Sequence, residues 1–141
     1  MDNSHEMTLV TEEKIAEQHV SNMKPLFFDL EKEDYEERFD IAYNQMVMHH
    51  VGDIDLMLAK FHALLNPGGY IAIADLYSED GSFHGDGFTG HLGFDVENLA
   101  NLLTQNGFSK VKHQKCYSIS KTQENGEVIE YPIFLMVALK E

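Results

Sequence analysis

FDIAYNQMVMHHV at residues 39–51 and LLNPGGYIAIADLY at residues 64–77 decide how this chain folds. Both runs are nearly continuous in apolar, strand-forming residues, the pattern of strands buried on both faces. Between them Leu56, Met57, Phe61, Leu64 and Leu65 recur at helical spacing and are expected to face a sheet, behind Asp53 as an N-cap. Asn66-Pro67-Gly68-Gly69 ends that helix. Strand, helix and strand in so short a span predict a βαβ unit, whose strands run parallel in a sheet covered by helices. Ligands of such sheets sit at the carboxyl ends of the strands. Residues 44–50 and 75–77 therefore form the edge where function is expected.

Working outward, Asn3 or Ser4 can cap a first helix carrying Met7, Val10, Ile15 and Val20 as a rough apolar stripe. Pro25-Leu26-Phe27-Phe28 reads as a short buried strand ending at Asp29. Glu31, Glu33, Asp34, Glu36 and Glu37 then crowd a solvated connection. On the other side, residues 78–94 (SEDGSFHGDGFTGHLGF) hold five of the ten glycines and no period, so they predict a long loop. Asp95 caps a further helix through Asn106, with Val96, Leu99, Leu102 and Leu103 inward and Gly107 as its C-terminal glycine. Residues 108–119 and 131–139 read as two strands, and Asn125-Gly126 signals the hairpin between them. The expected architecture is α/β, mostly parallel, finished by an antiparallel hairpin strand.

The chain has 141 residues, enough for one domain spanning residues 1–141. Its net charge of −14 repels phosphate backbones and anionic lipid, so neither a nucleic-acid partner nor a membrane partner is expected. Cys116 is alone, which leaves no internal disulfide, and its strand-like setting suggests a buried inert thiol. The first residues do not read as a signal peptide, and no apolar run approaches the ~20 residues of a membrane span. A cytoplasmic location is expected.

With these pieces in order, the chain resembles the class I S-adenosylmethionine-dependent methyltransferases, and within them the group that alkylates small molecules and lipoquinones. Residues 39–51 are similar to the family's fourth strand and its His-His signature. LLNPGGYIAIADLY is similar to the Leu-x-Pro-Gly-Gly element and fifth strand, Asn106-Gly107-Phe108 to the opening of the sixth, and YPIFLMVALK to the closing antiparallel strand. The resemblance starts at the end of the family's second strand, so the glycine-rich cofactor loop and the first strands of this Rossmann-like sheet are expected to be missing.

That resemblance implies S-adenosylmethionine as cofactor, conditional on the missing part. By position, Asp2 matches the carboxylate that bonds the ribose hydroxyls, since two oxygens suit a diol. Asp29 matches the residue near the adenine amino group, with Leu30 beside the ring. Asn44, Gln45 and Met46 match the segment under the methionine portion. His49 and His50 match the His-His pair.

Methyl transfer asks mainly for alignment and exclusion of water, and for a base only where the nucleophile carries a proton. His49, His50, Asp75 and Tyr77 are the candidates for that work. A structural alternative stands beside each: imidazoles capping backbone groups, and Asp75 capping a turn. In the loop, Asp80, His84, Asp86 and His91 gather imidazoles with carboxylates, and His49 or His50 could lie nearby. Their spacing matches no standard metal motif, so no metal is expected, and a lid with Phe83, Phe88 and Phe94 as apolar contacts is favoured.

Two functions follow. One is methyl transfer to a small molecule. The other is a non-catalytic methyltransferase-like module that forms a homodimer, or takes a partner, through the strand edge left open by the missing strands.

Overall fold

The computed structural model describes residues 1–141, which divide into two compact units, Met1–Tyr35 and Glu36–Glu141. In the first, α1 (His5–Glu17) begins at Ser4, whose side chain accepts from the Met7 amide. The stripe expected on this helix is covered only in part: Met7 and Val10 are exposed, Ile15 and Val20 are half-buried, and Thr8 is the helix's one buried residue. The strand expected at residues 25–28 shrinks to a single parallel bridge between Asp2 and Phe27. The acidic connection opens with a turn, in which the Lys32 and Glu33 amides return to the Asp29 carbonyl.

The second unit carries a four-stranded sheet of β1 (Phe39–Gln45), β2 (Leu65–Leu76), β3 (Phe108–Thr122) and β4 (Val128–Lys140), in the order β1-β2-β4-β3. β1 and β2 pair in parallel, with Tyr43 opposite Ala72 and Gln45 opposite Ala74, joined by α2 (Ile54–Leu64). The predicted βαβ unit is present. β4 runs antiparallel to both β2 and β3, so this sheet is mixed, with one parallel pair and two antiparallel ones. The hairpin turns at Gly126, which adopts a left-handed φ of 84°. α3 (Val96–Gln105) starts at Asp95 and packs on β3 and β4. Gly107 follows it at φ 87°, the conformation a C-terminal glycine supplies.

The core forms where Leu58, Leu65, Ile71, Ile73, Leu99, Leu103, Phe134 and Met136 lose nearly all contact with solvent. Leu58 takes the inward place expected of Leu56, which is exposed. Ile54, Met57, Leu58 and Leu64 share the buried side of the helix, and Leu56, about 200° around the helix from Leu58, lies off it. A smaller cluster of Leu76, Phe83, Tyr131 and Ile133 gathers at the far end of β2 and β4. Buried Lys140 donates to the carbonyls of His62 and Leu65, closing the end of α2.

β1 departs from its reading as a fully buried strand. It stops at Gln45, and Ile41 and Tyr43 are 64% and 76% exposed. Only one of its edges is paired, and a continuous apolar run by itself does not say whether a neighbour covers it. Cys116 also departs from expectation. It is exposed on the outer strand β3, where the pairing register slips between Lys115 and Tyr117. A bulge of this kind turns a side chain away from the alternation that would bury it.

Candidate functional site

Parallel pairing brings the carboxyl ends of β1 and β2 to one edge of the sheet. Just past the end of β1, Met46 stands at φ 54°, a left-handed conformation uncommon for a residue with a side chain. The Met46 amide still bonds the Ala74 carbonyl at 2.8 Å. A single 3₁₀ turn, Met48–His50, follows and directs His49 inward while His50 stays exposed. β2 delivers Asp75 beside it. His49 and Asp75 are 1% and 0% exposed.

His49 Nδ1 lies 2.6 Å from Asp75 Oδ1, and the His49 amide donates to Asp75 Oδ2 at 3.2 Å. The Leu76 amide donates to Oδ1 as well, at 2.8 Å. Three donors converge on one carboxylate, so Nδ1 carries the proton and the Nε2 lone pair is left for other work.

His50 and His84 complete a cluster over this pair. The His49 ring centroid is 4.2 Å from that of His50 and 5.0 Å from that of His84. Phe88 stacks on His84 at 3.9 Å. Burial, followed by the charge His49 can carry, holds the His50 imidazole below its usual range. Burial likewise lowers His84, helped by His49, His50 and Lys121. Both rings are therefore neutral at pH 7 and offer lone pairs.

His84 and Phe88 reach this place because the loop after β2 folds back. The Ser78 amide bonds the Phe94 carbonyl, the Glu79 amide bonds that of Leu92, and the His91 amide bonds that of His49 at 2.8 Å. His91 Nε2 adds a bond of 2.9 Å to the Val51 carbonyl. The close approach sets the residue type: a Cβ at Gly90 would collide with the His49 carbonyl and the Phe88 ring. Phe83 anchors the loop in the small cluster, with its ring 5.0 Å from that of Tyr131. Ser82 Oγ lies 2.6 Å from the Tyr131 hydroxyl, and Lys121 Nζ donates to the Phe83 carbonyl from above its ring. Of the three phenylalanines expected in a lid, Phe83 and Phe94 are buried as anchors, Phe83 with its ring 4.9 Å from that of His84, and Phe88 meets His49, His50 and His84.

The structure thus joins His49, His50 and Asp75, three of the four expected catalytic candidates. Tyr77 turns elsewhere, its ring 5.5 Å from Phe134. The loop carboxylates do not join the cluster: Asp80 accepts from the amide and hydroxyl of Ser82, and Asp86 is exposed. Sequence reading missed Glu79, whose Oε2 accepts from the amides of Gly81 and Phe83 and so shapes the loop start. Its only signal was its place before the turn residues Asp80-Gly81.

Among the residues expected at the cofactor, Asn44 has both its side-chain oxygen and nitrogen buried with no protein partner. Such orphaned groups are costly unless something binds them, which fits a polar ligand at the end of β1. Gln45 is exposed beside it and Met46 half-buried. In the N-terminal unit, Asp2 Oδ1 accepts from the Ser4 amide at 2.8 Å. Asp29 pairs with Lys32 at 2.7 Å and accepts from the Glu31 amide, and Lys32 holds its carboxyl below the usual range. An ionised carboxylate has room for about four hydrogen bonds, so both retain capacity for hydroxyl or amino donors. Leu30 is half-buried next to Asp29.

A sheet of this order with a polar constellation at its carboxyl edge defines a Rossmann-like α/β transferase fold. Residues 2–123 match the methyltransferase-domain family, and the chain belongs to it, as part of a class I methyltransferase domain, a family whose cofactor is S-adenosylmethionine. An uncharacterized methyltransferase of Schizosaccharomyces pombe is 25% identical over 142 residues, covering 89% of this chain and 48% of that protein. A ubiquinone biosynthesis O-methyltransferase of Chelativorans sp. is 44% identical over 43 residues, covering 30% and 17%. The crystal structure of a putative methyltransferase from Bacillus halodurans superposes with a TM-score of 0.76 at 14% identity, over 99% of this chain and 80% of that one. The chain spans about half the length, or less, of these two curated relatives. No helix is long and apolar enough to cross a membrane.

Proposed function

We infer that this chain contributes the acceptor side of a methyltransferase acting on a small molecule through an ionisable O–H or N–H group. The observation that carries the reading is the buried His49–Asp75 pair, 2.6 Å apart, at the carboxyl ends of two parallel strands. S-adenosylmethionine, when bound, supplies an activated methyl group. Asn44 fits the polar portion of that cofactor, with Gln45 and Met46 flanking it, and Asp2, Asp29 and Leu30 are the groups proposed for its ribose and adenine.

His49 Nε2 takes the proton that the acceptor loses as its O–H or N–H bond breaks. The imidazolium so formed is stabilised by Asp75, which keeps Nδ1–H oriented throughout. His50, His84 and Phe88 cover His49, so this base is reached when residues 84–90 lift, and their return excludes water. The 44% identity to an O-methyltransferase over 43 residues supports an oxygen acceptor.

The test is release of S-adenosylhomocysteine from S-adenosylmethionine with a panel of phenols and amines. Turnover that falls by about 10²–10⁴-fold in His49→Gln supports the reading. Turnover indifferent to this change removes His49 as the base.

A second reading rests on β1. Its open edge carries exposed Phe39, Ile41 and Tyr43, and such edges pair readily with another chain. A non-catalytic module that dimerises there would show a dimer by light scattering and no heat on titration with S-adenosylhomocysteine.

A further inference from the structure

The three imidazoles over Asp75 form more than a proton-transfer site. One ring nitrogen from each of His49, His50 and His84 lies within 4.8 Å of the others. They come from two segments, the turn after β1 and the loop after β2, which only the fold brings together. We propose that His49, His50 and His84 form a binding site for a divalent transition metal of the zinc class, with Asp75 as the carboxylate that orients His49.

Three features carry this. First, the donor set is chemically uniform: three imidazoles suit Zn²⁺, Co²⁺ or Ni²⁺ and leave at least one coordination position open. Second, His49 Nδ1 is already bound to Asp75 Oδ1 at 2.6 Å, which fixes the tautomer and leaves Nε2 for a metal. A carboxylate behind a ligand histidine in this way raises its basicity and sets its ring orientation. Third, the cluster can close. Zn–N bonds of about 2.0–2.1 Å at tetrahedral angles put ligand nitrogens roughly 3.4 Å apart. His50 and His84 are both exposed and have rotational freedom to shorten the present separations, while buried His49 is fixed.

The loop is held in place independently of any ion, by Phe83 in its cluster and by the His91 amide on the His49 carbonyl. His84 is therefore delivered to the other two rings by the fold itself. A metal on His49 Nε2 would occupy the lone pair that the proton-accepting role requires, so the two states exclude each other. The binding claim does not rest on the methyl-transfer reading, and it is tested without cofactor or acceptor.

The experiment is titration of the chelator-treated 141-residue chain with Co²⁺, followed by visible absorption, and with Zn²⁺ in competition. One equivalent of Co²⁺ should produce saturating bands that Zn²⁺ abolishes. His84→Ala and His50→Ala should each weaken binding at least about tenfold, while His113→Ala, on exposed β3, should leave it unchanged. His84 is exposed, and circular dichroism of its variant checks that the fold survives. Non-saturating titration, or equal binding by the wild type and both variants, would overturn the site.

Discussion

Asp75 holds His49 at two points, through the ring Nδ1 at 2.6 Å and through the backbone amide at 3.2 Å. The end of β2 therefore fixes both the position and the orientation of an imidazole that follows β1. Removing the carboxylate leaves the His49 ring N–H and the amides it accepts from buried without partners, a cost of about 1–3 kcal/mol for such a group. Asp75→Ala is expected to lower the melting temperature by roughly 5 °C or more. An unchanged melting curve would show that the pair does not hold the edge together.

Gly90 lies where the loop packs against the turn after β1. A Cβ there meets the His49 carbonyl, whereas at Gly85 it meets open space. Gly90→Ala should push the loop away, at a cost of about 1–3 kcal/mol. The readout is hydrogen exchange at His91, whose amide bonds that same carbonyl. Exchange should quicken in Gly90→Ala, and unaltered protection would refute the contact.

His62 provides a pH dependence remote from the cluster. Burial first, and then Lys140, hold its imidazole below the usual value. The unfolded chain accepts a proton near pH ~6.5 that the folded chain refuses. Its contribution is thus fully present above that pH and is lost as the pH falls toward the lowered folded-state value. Melting temperatures of the wild type should drop more steeply than those of His62→Gln on acidification below about pH 6.5. Parallel curves would rule out this linkage.

The open edge of β1 leads to a prediction about association. Tyr43 and Ile41 are its most exposed apolar side chains. A lysine at either position discourages strand pairing without disturbing the core. If the chain self-associates through this edge, Tyr43→Lys should reduce its mass by light scattering to that of a monomer. An assembly that survives the substitution does not use β1.

Much of the fold was legible along the sequence because the signals are local. Asp53 and Asp95 cap the helices they precede, with bonds to the amides of Leu56 and Asn98. Gly107 and Gly126 sit at the left-handed positions that a helix end and a hairpin demand. The Asn125-Gly126 hairpin signal and the helical connection between β1 and β2 decided antiparallel against parallel pairing. Cys116 and Ile41 were misjudged as buried for one reason: burial depends on what covers a strand, and residues along the strand carry no record of that.

The sequence by itself determined the α/β class, the order of strands and helices, and the placing of His49, His50 and Asp75 at strand ends, since these follow from periodicity, caps and turn residues within a few positions. Only the tertiary structure decided that Asp75 binds His49, that Tyr77 turns away to Phe134, and that His84 crosses from the loop to join the other two imidazoles. Those choices are made by contacts between residues 26 to 57 positions apart, and such contacts exist only once strand pairing and the folded-back loop have brought the segments to one edge.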